Sequence, residues 1–249
     1  MGFTDTLGLG RSKGKHGSRD SRPALEQARD PQEQAGANGA VVHLVQQLLD
    51  VGIEGCGRFD SAVAVGDAAL LKSGGNAERA IDRIVADHIK LAGASGFITN
   101  LGGFATMVVA LPANVFGFYV LATRMAAAVA HVRGHDLARG EVRSAALLSL
   151  VGADAQDLLA KAGMAVPSGR LAGFASQQLS GPALMMVNKA VGFRILSRTG
   201  RGVFARFGKA VPLVGGAVGA GMDVWLLKQL ADHVREEFPP ADEGRAVTG

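Results

Sequence analysis

GFITNLGGFATMVVALPANVFGFYVL, Gly96 to Leu121, carries no charged residue, and its reading decides the fold. The uncharged run is longer still, extending from Leu91 to Thr123 between Lys90 and Arg124. A membrane-crossing helix needs about 20 mainly apolar residues, and Leu101 to Leu121 has that length. Pro112 interrupts it, Asn100 and Asn114 flank the interruption, and Gly96, Gly102, Gly103 and Gly117 lower its hydrophobicity. Proline cannot donate a mid-helix hydrogen bond but suits a first helical turn. The run therefore predicts two helices, one from Phe97 to Ala110 and one from Pro112 to a stop at Gly134. Each is short for a span. The pair is either the buried centre of a soluble bundle or a hairpin dipping into one leaflet. Periodicity does not separate these for a helix apolar all round. Phe97, Leu101, Phe104, Leu111, Pro112, Phe116, Phe118 and Tyr119 are the packing or membrane residues of this segment.

Composition fits a chain rich in buried surface. Of 249 residues, 48% are hydrophobic and only 19% charged, against about 25% charged in ordinary soluble domains. Mean hydropathy is +0.20. The 35 glycines follow no collagen-like period, so they serve close packing, caps and bends. A single cysteine, Cys56, excludes an intrachain disulfide and cannot build a thiolate metal site by itself. The opening MGFTDTLGLG has Asp5 and no basic stretch leading into an apolar one, so a reducing, cytoplasmic location is expected.

Residues 1–38 are polar and of mixed charge, and predict a disordered tail, as does the stretch 239–249. Between them the pattern is all-α. In NAERAIDRIVADHIKLAG, Ile81, Ile84, Val85, His88 and Ile89 form one stripe, with Asn76 as cap and Gly93 as stop. Val41, Leu44, Val45, Leu48 and Leu49 repeat the spacing. Asp154 reads as the cap of a short helix that Gly163 ends, Ser168 as the start of another, and Pro182 as a first helical residue. A last long helix runs from about Gly215 to Glu237. No alternation would build a sheet. The expected architecture is a compact multi-helix domain over 39–238, with a central apolar hairpin and a glycine-rich helix near its C-terminus.

Charge is distributed unevenly. Leu158 to Met222 holds no Asp or Glu, yet carries eight cations, among them Lys189, Arg194, Arg198, Arg201, Arg206 and Lys209. Arg194, Arg198 and Arg201 share a helix face, beside an apolar stripe of Val187, Val191 and Ile195. Cations beside apolar residues suit anionic headgroups, at about 1 kcal/mol per cation near the surface; an ordinary solvated basic face is the plainer alternative. No helix-turn-helix or other nucleic-acid reading element is recognisable, so nucleic acid is not expected as a partner. Next comes KAVPLVGGAVGAGMDVWLLKQLADHV, in which Gly215, Gly216, Gly219 and Gly221 allow close helix approach, within the domain or between copies of the chain. Trp225 is either core or an interfacial anchor.

Chemistry-bearing motifs are scarce. Arg124, His131, Arg133, His135, Asp136 and Glu141 cluster in sequence, and a His–Asp group can act as a base or hold a metal. His131 and His135 lack the intervening Glu of a zinc-protease motif, and Gly134 would break a helix between them. The simpler reading is a helix end whose cations meet the last carbonyls. His88 reads as a satisfied core histidine. Ser95, in GASGF, lacks the spacing and preceding strand of a nucleophile elbow. LVGGAVGAG lacks the Lys-Ser/Thr of a phosphate loop. No cofactor and no metal are expected.

Two blocks, GFITNLGGFATMVVALPANVFGFYVLATRMAAAVAHVRGHD and KAVPLVGGAVGAGMDVWLLKQLADHVREEF, resemble the signature of the bacterial EcsC family in their order and in the places of glycines and prolines. The resemblance spans roughly residues 40–238. It implies a helical fold and, through an operon that also encodes a transporter, a connection to membranes; it implies no catalytic residues. The expected function is non-enzymatic: a cytoplasmic protein at the membrane's inner face, engaging anionic lipid or a membrane protein complex. A soluble helical scaffold is the second expectation, and an enzyme acting on a lipid-like substrate through His131, His135 or Asp136 the third.

Overall fold

Among the described residues, the stretches with apolar residues three and four apart fold as helices. A computed structural model of the chain describes residues 37–57, 59–93, 113–164, 166, 170–207 and 212–241; along 198–207 and 212–220 it describes the helix backbone. Helix α1 (Ala37–Leu49) runs into a π-helical turn, Asp50–Glu54. Then come α2 (Ala62–Lys72), α3 (Ala77–Gly93), α4 (Ala113–Val132), α5 (Gly140–Ser149) and α6 (Asp154–Lys161). A short α7 (Leu171–Ala175) and the long α8 (Gly181–Phe207) and α9 (Pro212–Glu237) complete the set. Among the described residues the only bridge of strand type joins Cys56 to Phe59 across a tight turn. The fold is all-α.

Helix ends follow local chemistry. Asn76 Oδ1 accepts from Arg79 N at 2.9 Å and Ser61 Oγ from Ala64 N at 3.1 Å, satisfying N–H groups that a helix start leaves open. At the ends of α4 and α6, Gly134 (φ +85°) and Gly163 (φ +74°) take the left-handed conformation. There His135 N reaches Ala130 O, and Met164 N reaches Leu159 O, the bonding of a Schellman stop. Asp154 differs from expectation. It is the first residue of α6, one position past the N-cap Ala153, and its carboxylate pairs with Arg194. The last helix begins earlier than expected, at Pro212, a residue suited to a first turn.

Helix α4 is the hub. It packs against α1, the π-helical turn, α2, α3, α5 and α9, and every residue from Val120 to Ala130 is buried. Phe116 is buried, while Phe118 and Tyr119 are half-buried and stack edge-to-face at 5.5 Å. Six neighbours need close approach. The run MAAAVA, Met125 to Ala130, supplies it by keeping the helix thin. Glycines on the partners complete it: a Cβ at Gly52 would lie 2.9 Å from Thr123 Cβ and 3.2 Å from Val120 O, and one at Gly66 would lie 2.7 Å from His131 Cδ2. By length and composition Val115–Val132 could cross a membrane, yet 78% of it is buried within the protein. The second half of the expected hairpin is therefore protein core. Its first half, with Phe97, Leu101, Phe104, Leu111 and Pro112, lies outside the described residues.

Side-chain pairs fix how the helices run. Glu78 meets Arg133 at 2.7 Å and His88 meets Arg124 at 3.2 Å, so α3 and α4 are antiparallel. Asp82 meets Arg235 at 2.6 Å, and Ala241 N donates to Arg133 O at 2.9 Å, so α9 runs against α3 and along α4. One pole of the bundle thus holds the C-terminal end of α3 with the upper part of α9. The other holds the α2–α3 turn, Gly134 and Phe238. Counting nine residues from Asp82 and nine back from Arg235 at 1.5 Å per residue puts Leu91 level with Leu226. The Ala241 bond, with that from His135 Nε2 to Pro239 O at 2.9 Å, extends the folded chain past the expected boundary at 238.

Glycine positions give a paired expectation. Gly52→Ala forces a Cβ against α4 and destabilises by about 1–3 kcal/mol. Gly221→Ala, where an added Cβ meets nothing within 4 Å, stabilises by up to about 1 kcal/mol through helix propensity. Urea unfolding of the two variants checks both signs; a neutral Gly52→Ala would remove close approach as the reason for that glycine.

Candidate functional site

The most unusual polar group sits in the core. Arg124 is 5% exposed, near the middle of α4. Its Nε donates to His88 Nε2 at 3.2 Å and an Nη to Asp60 O at 3.4 Å, and its guanidinium lies 3.5 Å over the Phe59 ring. Among the described residues no carboxylate is in ion-pair contact with it. Burial pulls its pKa down to about 10, partly offset by Asp60, so it stays charged at neutral pH. His88 Nδ1–H donates to Ile84 O at 2.7 Å, which leaves Nε2 as the acceptor that Arg124 needs. Desolvation, then the neighbouring guanidinium, push the His88 pKa down to about 3. His88 is thus the satisfied core histidine expected from its stripe. The arrangement ties α3, α4 and the turn after Gly55 together; it offers a reactant no open space.

The polar residues around the end of α4 do not converge. His131 pairs with Asp67 at 2.8 Å and Arg133 with Glu78. His135 donates to Pro239 O and stacks on Phe238, and burial lowers its pKa. Asp136 Oδ1 accepts from Ala138 N at 2.8 Å. Glu141 accepts from Leu179 N at 3.0 Å, and this bond, with one from its own backbone, holds its pKa low. His131, Arg133, His135 and Glu141 each staple a different segment, and Asp136 closes its own turn. Among the described residues His131, His135 and Asp136 turn to Asp67, Pro239 and Ala138 respectively and do not meet, so this geometry does not support the expected lipid enzyme there. Among the described residues no group of three His, Cys, Asp or Glu is placed to hold a metal ion.

The basic helix α8 is divided in use. Val187, Val191 and Ile195 are buried, as their stripe predicts. Gly192 lets α8 close on α1, since a Cβ there would meet Val41 Cγ1 at 2.7 Å. Arg194 is committed to the fold: it pairs with Asp154 at 2.5 Å and clamps α8 to α6. Of the expected anion-binding residues, Arg194 thus already has a carboxylate partner within the fold. Lys189 is partly exposed. Arg198, Arg201 and Arg206 lie on the C-terminal half of α8, where the helix backbone is described, and Lys209 lies outside the described residues.

Helix α9 presents an apolar surface. Met222, Trp225 and Leu226, at i, i+3 and i+4, are exposed by 48%, 53% and 36%. Leu227, Ala231 and Val234 on another side of the same helix are buried. Trp225 is therefore not core. Asp223 is half-buried beside this stripe, and desolvation raises its pKa. Gly221 is exposed and its position is open, so it packs against no described neighbour. Gly215, Gly216 and Gly219 lie on the first turns of α9, where the backbone alone is described. The spacing of 222, 225 and 226 is visible in sequence; that this stripe faces out, while α4 takes the core, is not.

The His88 arrangement sets an acid limit on stability. Its folded pKa lies below the ordinary histidine value of 6.5, so the stabilisation is complete above that value. It is lost as pH falls from about 6.5 toward about 3, on the order of 4 kcal/mol across the window. His88→Gln should flatten that part of the stability-against-pH curve, measured by urea unfolding; an unchanged slope would show that other groups set it.

No protein-family model, curated protein or solved structure matches the chain.

Proposed function

We propose that the protein is a non-enzymatic, membrane-associated protein that docks on anionic lipid from the cytoplasmic side. The observation that carries this reading is the exposed Met222–Trp225–Leu226 stripe. It lies within Ala210 to Leu227, where Asp223 is the only charged residue, and it follows the acid-free, cation-rich stretch that includes α8. A folded soluble surface rarely shows a tryptophan and two long aliphatics side by side without use. Interfacial binding adds apolar burial to headgroup attraction. Here the stripe supplies the first, and Arg198, Arg201, Arg206 and Lys209 the second. Leu91 stands at the same level of the bundle and widens the apolar pole. The raised pKa of Asp223 lowers the cost of bringing its carboxyl to the interface. Membership of the EcsC family, a membrane-bound protein complex as alternative anchor and self-association through the glycine-rich start of α9 belong to the same proposal.

The burial of α4 favours a second reading, a soluble helical scaffold whose apolar segments are all core. The two differ in what Trp225, the single tryptophan, experiences. Vesicles of phosphatidylcholine with phosphatidylglycerol should shift Trp225 emission to the blue, whereas pure phosphatidylcholine vesicles should do so weakly. Removing the apolar side chains with Trp225→Ser and Leu226→Ser should weaken vesicle binding, read by sedimentation, by about tenfold or more. Charge reversal at Arg198, Arg201 and Arg206, leaving the structural Arg194 intact, should do likewise and flatten the salt dependence. Emission that ignores anionic vesicles would favour the scaffold.

A further inference from the structure

Along the outer face of α3, from the α2–α3 turn to Lys90, runs an open cleft of about 580 Å3. Lys72, Arg79, Arg83 and Lys90 line it with Asp82 and Asp87. Both carboxylates are engaged: Asp82 with Arg235 at 2.6 Å and Asp87 with Lys90 at 3.1 Å. Lys72, Arg79 and Arg83 have no acidic partner among the described residues. Four cations and two carboxylates therefore face one space, an excess of positive charge in which Lys72, Arg79 and Arg83 are unpaired among the described residues.

We propose that this cleft binds a phosphate-bearing anion. Structural needs do not explain the residues. Arg79 and Arg83 sit one turn apart on α3, on the side away from the buried Ile81, Ile84 and His88. There they repel each other and pack nothing. Asn76 already caps the start of α3, so the cations are not replacing a missing cap. Guanidinium groups one turn apart, with an ammonium across from them, suit the several oxygens of a phosphate or pyrophosphate. Leu71, beside Lys72, is 83% exposed, so a lipid headgroup and a free phosphate compound share the chemistry as possible sources. This inference stands apart from the docking of Trp225, since the cleft's cations lie on α2 and α3 and the apolar stripe on α9.

The test follows backbone amide resonances of the full chain during titration with pyrophosphate and, separately, with small phosphatidic acid bicelles. The expected result is saturable shifts at Ser73, Gly74, Arg79 and Arg83. They should weaken at least about tenfold when Lys72, Arg79 and Arg83 are all changed to Gln. These side chains are exposed and unpartnered, so the variant keeps its fold, checked by circular dichroism. Shifts with pyrophosphate identify a free phosphate compound as source. Shifts with bicelles alone, weakened by Leu71→Ser, identify a headgroup. Absence of shifts with both probes up to about 10 mM, or shifts unchanged in the triple variant, overturns the proposal. Trp225 emission with anionic vesicles is read in parallel; the triple variant should leave its blue shift intact, so loss of the cleft and loss of the docking stripe are told apart.

Discussion

A guanidinium buried without a carboxylate is the constraint around which this fold is arranged. Removing a cation from water costs several kcal/mol unless its donors are met. Arg124 is met by a neutral imidazole, a backbone carbonyl and an aromatic face, all from outside its own helix. That solution requires α3 to present His88 at one level of α4, and the turn after Gly55 to bring Phe59 and Asp60 to the same place. It also requires His88 to keep the tautomer that its bond to Ile84 O selects. The pairs Glu78–Arg133 and Asp82–Arg235 continue the same alignment along α3. Register in a bundle with an alanine-rich, nearly featureless central helix is thus set by polar contacts, while apolar burial supplies the bulk of the stability.

The same arrangement shapes the functional reading. Because α4 takes the centre, the most hydrophobic described segment is unavailable to lipid in the folded state. Among the described residues two surfaces stand open to a partner: the Met222–Trp225–Leu226 stripe of α9, and the cleft along α3 with its unpaired Lys72, Arg79 and Arg83. The histidines and carboxylates near the end of α4 are engaged in holding helices and their own turn, each with its own partner. This weighs against chemistry at that place and is why the proposal turns to surface recognition.

Much of the fold was legible in the sequence because helices announce themselves locally. The stripes through Ile81, Ile84 and His88 and through Val187, Val191 and Ile195, the cap at Asn76 and the stops at Gly134 and Gly163 all depend on neighbours within one or two turns. Long-range pairings were not legible. Nothing local tells that Arg124 meets His88, or that Arg194 is neutralised by Asp154, so one residue read as a free cation is a clamp. Glycine spacing also misled in part. Close approaches between helices are made at Gly52, Gly66 and Gly192, which lie outside the repeated pattern, whereas Gly221, within it, faces open space. Trp225 was ambiguous for the same reason: an apolar stripe names a face, and only packing decides what the face meets.

The central claim is that α4 is a protein core held by Arg124 and His88, independent of any bilayer. Hydrogen exchange of the full chain in buffer without lipid or detergent tests it most directly. The amides of Val120 to Ala130 should be among the slowest to exchange, and Arg124→Ala should accelerate them together with those around His88. Rapid exchange of that segment in buffer, with protection appearing only when vesicles are added, would contradict the claim and return α4 to the membrane.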